Sequence, residues 1–75
     1  MSIEPVQVEI HLEEELDATQ RSLLETKLEE EGGVISARFQ DNDAHRLILS
    51  YDDQRYSHLT LLDAIRGLGF HAWIP

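Results

Sequence analysis

The sequence predicts a single α+β domain in which two helices cover one face of a four-stranded antiparallel sheet. Three observations predict it: a length of 75 residues, a strand–helix–strand–strand–helix–strand order of periodic segments, and glycines that follow both helical segments. A chain this short buries roughly 60% of its unfolded surface, so its hydrophobic core is thin. We therefore expect one domain over residues 1–75.

Alternation predicts the first strand, and capping residues predict the first helix. Apolar and polar residues alternate with a period of two, as in a half-buried strand, at Val6, Val8, Ile10 and Leu12. Asp17 can cap the next helix, and Gln20 completes an Asp-x-x-Gln capping box. The helical stripe includes Leu23, Leu24 and Leu28, and Gly32-Gly33 is expected to end the helix.

The second half repeats this arrangement after a hairpin. A bulged second strand is expected to point Val34, Ala37 and Phe39 inward, and residues 41–44 form the predicted turn. The third strand alternates at Leu47, Leu49 and Tyr51. Ser57 is the predicted cap of the second helix. Residues at helical spacing follow it at Leu59, Leu62, Ile65 and Arg66, and Leu61 and Leu68 extend the stripe. A last strand alternates at Phe70, Ala72 and Ile74, and two βαβ crossovers of this kind make a ferredoxin-like βαββαβ fold.

Composition restricts the classes of binding partner and the cellular location that we expect. Fifteen acidic residues against six basic ones give a formal charge of −9, which disfavours contact with nucleic acid and with anionic membranes. Such a charge favours a basic protein partner or cations. The first residues have no secretion-signal pattern, and no apolar run is long enough to span a bilayer. We expect a soluble, cytoplasmic protein that binds neither nucleic acid nor membranes.

Several groups of residues resemble the heavy-metal-associated domains of copper chaperones and metal-transporting ATPases. They are Gly33-Val34, then Leu47, Leu49, Tyr51 and Asp52, then Leu62, Ala64, Ile65, Gly69 and Phe70. The resemblance extends from Val6 to Ile74 and implies the ferredoxin-like fold. These are core and turn positions, so they carry little information about activity.

The resemblance departs from the family at the metal site. It places the family's Cys-x-x-Cys pair on Asp17 and Gln20, and the chain has no cysteine. Copper(I) prefers thiolates, whereas Asp and Gln offer hard oxygen ligands. The resemblance therefore implies the fold without implying copper transfer.

Two histidines form the candidate metal site. If the first and last strands are antiparallel neighbours, His11 and His71 should lie near each other on the helix-free face. Glu13 or Glu9 could add an oxygen ligand, and imidazoles with a carboxylate suit zinc, nickel or copper(II). The alternative is that both are solvent-exposed strand histidines.

The candidate protein contact surface lies on the same helix-free face. Its residues are Trp73, Ile48, Arg38 and Gln40, and an exposed tryptophan beside an arginine is typical of an interface centre. Folded-over chain ends could instead bury Trp73. Self-association through this face, or through the edge of the second strand, would also cover it.

No pattern indicates catalysis. Gly67-x-Gly69 is a helix stop, not a phosphate loop, and the adjacent Ser57-His58 pair is no nucleophile–base arrangement. The leading hypothesis is a non-catalytic protein-interaction module without a cofactor. The alternatives are a carrier or sensor that binds a divalent metal weakly, and a small-molecule binder or minor enzyme on the same fold.

Overall fold

The computed structural model describes residues 5–75, which form six elements in the predicted order. They are β1 (Val6–Leu12), α1 (Ala18–Glu29), β2 (Val34–Gln40), β3 (Asp43–Tyr51), α2 (His58–Gly67) and β4 (Ala72–Trp73). The sheet order is β2-β3-β1-β4, with every neighbouring pair antiparallel. The predicted ferredoxin-like fold is confirmed. Within residues 5–75, neither helix has the length and apolar character required to cross a membrane.

The core lies between the helices and the inner face of the sheet. It consists of Ile10, Leu12, Leu16, Leu24, Leu28, Val34, Ala37, Leu47, Leu49, Tyr51, Leu61, Leu62, Ile65 and Ala72. Burial of one such leucine or isoleucine contributes about 1.5–3 kcal/mol. Among the described residues no polar or charged side chain is buried, so the core is held by apolar packing.

The helical stripes are narrower than the sequence predicts. Leu23, Leu59 and Leu68 were expected to face the core, but they remain 66%, 59% and 42% exposed. Leu24 and Leu28 alone are buried from α1. Leu68 is the C-cap beyond the last helical residue of α2. Leu23 directly precedes the buried Leu24, so its side chain points about 100° away from Leu24 around the helix axis.

Two boundaries also differ from prediction. The hairpin turn contains only Asp41 and Asn42, because Gln40 already pairs with Asp43 at the start of β3. The prediction of a turn over residues 41–44 is therefore wrong for residues 43 and 44, which belong to β3. His45 is a strand residue, and its Nδ1 lies 2.9 Å from the carbonyl oxygen of Leu12.

The last strand is shorter than its alternation predicts. Only Ala72 and Trp73 belong to β4. The amide of His71 donates to both carboxylate oxygens of Glu14, at 2.9 and 3.0 Å, so a side chain takes the place of a strand partner there.

Both outer edges of the sheet receive a charged side chain from a helix. On β2, the amide of Phe39 donates to Oε2 of Glu25 in α1 at 2.9 Å. On β4, Nε of Arg66 in α2 donates to the carbonyl of Ala72 at 2.9 Å. Free edge groups are templates for pairing with another strand, and charged side chains are a known means of blocking them.

Replacing Glu25 by alanine is expected to expose the Phe39 amide. A hydrogen bond to a charged acceptor contributes about 1.5–3 kcal/mol, so we expect hydrogen exchange at this amide to accelerate about tenfold or more. NMR-detected exchange measures it. Glu29→Ala is the matched control, since Glu29 is an exposed carboxylate of the same helix. Equal acceleration in both variants would contradict the role of Glu25.

Candidate binding surface on the open sheet face

The sheet face opposite the helices is covered by no other element of the described chain, and we call it the open face. Its side chains alternate along each strand with the buried core residues. The residues are Gln7, Glu9 and His11 of β1 with Glu13 directly after it, Arg38 of β2, Arg46, Ile48 and Ser50 of β3, and Trp73 of β4.

Trp73 lies at the β4 side of the open face and is 44% exposed. It pairs with His11, and the two ring centroids are 6.0 Å apart at an interplanar angle of 49°. The chain ends do not bury it within residues 5–75. An indole held on one side by an imidazole and open on the other presents a large, rigid contact area.

The other predicted contact residues lie across the sheet. Arg38 and Ile48 are direct cross-strand partners on β2 and β3. Strand β1 separates them from Trp73. Gln40 is paired with Asp43 beyond a register shift, at the end of the hairpin. The predicted surface is therefore one face with two halves: Arg38 and Ile48 on one side, and Trp73 on the other.

A charged group occupies the centre of the open face. The Glu9 carboxylate lies 3.1 Å from Nε of Arg46 and 3.4 Å from Nε2 of His11. Both nitrogens are shielded from water but lack a well-directed hydrogen bond. The side chains of Glu9 and Arg46 are each 37% exposed, so this pair is only partly solvated. The His11 imidazole is thus engaged by Glu9 and Trp73.

His71 is held by the loop after β1. Its Nδ1 lies 2.7 Å from Oε2 of Glu14 and 3.7 Å from Oε2 of Glu13, and its carbonyl accepts from the Glu13 amide at 2.8 Å. The side-chain hydrogen bond to Glu14 raises the pKa of His71, and the nearby charges of Glu14 and Glu13 raise it further. The same hydrogen bond lowers the pKa of Glu14.

These contacts separate the predicted metal ligands into two groups. His11 contacts Glu9 and Trp73, whereas His71 contacts Glu13 and Glu14. Within residues 5–75, no three His, Asp or Glu side chains are arranged to hold a metal ion. Glu14 was not among the predicted site residues. The run of three glutamates after β1 was the only signal, and it does not distinguish which carboxylate meets His71.

The positions that the family resemblance assigns to metal form a closed capping box. Oδ1 of Asp17 accepts from the Gln20 amide at 2.8 Å, and Oε1 of Gln20 accepts from the Asp17 amide at 3.1 Å. The predicted capping box is confirmed. Both side chains satisfy helix-end donors that would otherwise lack partners, which stabilises α1 by roughly 1 kcal/mol for each cap.

The His71–Glu14 pair predicts a pH-dependent contribution to stability. A histidine with a raised pKa stabilises the fold fully below its ordinary value of 6.5, and the effect is lost as pH rises through the raised pKa. A glutamate with a lowered pKa stabilises fully above its ordinary 4.5, and the effect is lost as pH falls through the lowered pKa. The pair therefore contributes most between these two values.

We expect NMR titration to place the His71 pKa above its ordinary value and Glu14→Gln to lower it, whereas Glu15→Gln, the control, leaves it unchanged. Urea unfolding of the protein and of His71→Gln should differ more at about pH 5.5 than at about pH 8.5. A difference that grows with pH would contradict the assignment.

Comparisons with known proteins agree with this fold. No family model matches the chain, and no curated protein matches it. Among solved structures, it is similar to the N-terminal domain of a potential copper-translocating P-type ATPase from Bacillus subtilis in the Cu(I)-loaded state. That match has a TM-score of 0.80 and 20% identity, and covers 95% of this chain and 88% of the other.

A second similar structure is a copper-binding domain from HMA7, a P-type ATPase. The match has a TM-score of 0.79 and 19% identity, and it covers 92% of each chain. At this level of identity the likeness concerns the backbone. The chain therefore has the heavy-metal-associated-like fold that its sequence resemblance predicts.

Proposed function

We propose that this domain is a non-catalytic binding module that acts through protein contacts on the open face. The observation that carries the proposal is Trp73, which is 44% exposed on a face that neither helix covers. Tryptophan and arginine are enriched where interfaces are most deeply buried, and lysine and aspartate are depleted there. Trp73, Ile48 and Arg38 fit this composition, and Gln40 lies at its rim.

The charge distribution supports the same surface. The open face has two acidic residues, Glu9 and Glu13, and two basic residues, Arg38 and Arg46. The rest of the described chain has twelve acidic and four basic residues. Burying a face with equal numbers of acidic and basic residues costs less free energy than burying a face with an excess of one sign, because fewer charges are left without partners.

The capping box supports a role other than copper(I) transfer. Asp17 and Gln20 are hydrogen-bonded to each other's backbone and present oxygen, which is a poor ligand for a soft monovalent ion. A divalent-metal carrier that uses His11, His71 and Glu13 is the alternative, because a carboxylate stands beside each histidine.

Chemical-shift mapping tests the proposal. Spectra of ¹⁵N-labelled protein are recorded with fractionated extract of the source cell and, separately, with zinc, nickel and copper(II). We expect a protein fraction to perturb Trp73, Ile48 and Arg38, and Trp73→Ala to abolish the effect. Leu59→Ala is the matched control, since Leu59 is an exposed apolar residue of α2. Perturbation confined to the helices, or produced only by metal at His11 and His71, would refute it.

A further inference from the structure

We infer that the occupant of the open face is a second copy of this chain, packed face to face about a two-fold axis. The inference rests on the proposed function and assigns its partner. Its basis is the placement of an apolar residue and a charge on each half of the face: the exposed Trp73 with Glu13 on one half, and the half-buried Ile48 with Arg38 on the other.

Strand register fixes how the two halves are arranged. Arg38 and Ile48 pair with each other on β2 and β3, whereas Trp73 on β4 and Glu13 after β1 lie at the opposite corner. A two-fold axis between the faces, running obliquely across β1 and β3, exchanges these corners. It brings Trp73 of one copy to Ile48 of the other and Arg38 to Glu13.

Each of these contacts then occurs twice, as the symmetry of such a dimer requires. Arg38 is available for this contact because no ion pair or hydrogen bond engages its guanidinium within the described residues. Within residues 5–75 the Glu13 carboxylate has one ion-pair partner, His71 at 3.7 Å, and the Glu13 side chain is 69% exposed. The side chains of Arg38 and Glu13 have opposite charges, so the Arg38 corner of one copy complements the Glu13 corner of the other.

Charge does not oppose contact between two copies through the open face. The acidic excess of the described chain lies in the loops, whereas each helix carries as many basic as acidic residues. The open face also has two residues of each sign, so two copies can approach through it without a large repulsion between like charges.

The sheet edges disfavour the remaining route to a dimer. Glu25 occupies the edge amide of Phe39, and Arg66 occupies the edge carbonyl of Ala72. A second strand would have to displace a charge-assisted hydrogen bond at either edge. Association through β-strand pairing is therefore blocked at these two points, which leaves the faces.

The charged residues at the centre of the proposed interface need no counter-ion from the other copy or from solution. Glu9 is within 3.4 Å of both Arg46 and His11 in one copy, so the group enters the interface already paired. A standard interface buries about 800 Å² on each partner. The domain measures 38 × 21 × 20 Å, so the whole face must take part, and we expect a dimer that dissociates in the micromolar range.

Analytical ultracentrifugation of the whole chain from micromolar to millimolar concentration tests the inference. The variants are Trp73→Ala, Arg38→Glu, Glu13→Arg and the double reversal Arg38→Glu/Glu13→Arg. We expect each single change to weaken dimerisation about tenfold or more, in line with losses at central interface residues. The double reversal should restore it, because the two-fold contact is rebuilt with its signs exchanged.

Asp63→Arg is the matched control, because it changes the net charge by the same amount as Glu13→Arg but lies at an exposed position of α2. It should leave the dimer intact. A monomeric protein throughout the range would overturn the inference, as would equal effects of Glu13→Arg and its control Asp63→Arg, or failure of the double variant to restore the dimer. A monomer whose Trp73 face is perturbed by a different protein would overturn only the inference and leave the proposed function standing.

Discussion

Exchanging Asp17 and Gln20 for cysteine is expected to create a copper(I) site with thiolate ligands, which this cysteine-free sequence lacks. The two side chains already converge at the start of α1, where each reaches the other's backbone within 3.1 Å. The fold matches a copper-loaded domain with a TM-score of 0.80. Thiolates are the ligands that a soft monovalent ion prefers, and the positive end of a helix stabilises them. We expect stoichiometric uptake by the double variant.

Competition with a coloured copper(I) chelator under reducing conditions measures this gain. Asp17→Ser/Gln20→Ser is the control for altered capping without sulfur, and Asp17→Cys alone tests the need for two thiolates. The lost capping box should cost about 1–2 kcal/mol in the metal-free variant. If the double cysteine variant removed no more copper from the chelator than the serine variant, the loop would be unsuited to metal for reasons other than its missing sulfur.

Replacing Gly33 by alanine is expected to destabilise the domain more than any other glycine substitution considered. A Cβ at this buried position would overlap the ring of Tyr56 and lie 3.1 Å from Cβ of Arg55. Tyr56 packs against the core, and its hydroxyl donates to Glu31, so the ring cannot move aside without losing contacts. Overpacking of this kind costs about 2–3 kcal/mol.

Thermal unfolding measures the effect, because each kcal/mol lowers the Tm of a domain this size by about 4–8 °C. Gly32→Ala and Gly67→Ala are the controls. A Cβ added at Gly32 would lie 3.3 Å from Nη1 of Arg55, at the end of a flexible side chain. A Cβ added at Gly67 would have no heavy atom of another residue within 4 Å. Gly67 ends a helix, so alanine there should be neutral or stabilise by about 0.5–1 kcal/mol. Equal Tm values for all three variants would contradict the steric argument.

Most of the fold could be predicted because its determinants are local. The Asp17–Gln20 capping box, the Ser57 cap and the alternation in β1 and β3 each depend on residues within a few positions of one another. The bulge in β2 could be predicted as well, since Val34 and Ala37 are buried three residues apart. Local patterns of this kind can be recognised in a single sequence.

The details of the candidate site depend on contacts between distant residues. Glu14 holds His71 across 57 positions, and β4 begins only at the next residue, Ala72. Nothing in the sequence around either residue indicates which of three consecutive glutamates makes it. The exposure of Leu23 and Leu59 could not be predicted for a similar reason: helical spacing gives the direction of a side chain, but tertiary packing decides whether another element covers it.

The hydrogen bonds from Glu25 and Arg66 to the sheet edges tie resistance to aggregation to the docking of the helices. When α1 detaches, the β2 edge loses its carboxylate at the moment the inner apolar surface becomes accessible. Partial unfolding therefore produces a species that exposes both an unblocked strand edge and an apolar surface, and each of them promotes aggregation. We expect the rate of fibril or precipitate formation to follow the frequency of helix detachment and not the global unfolding equilibrium.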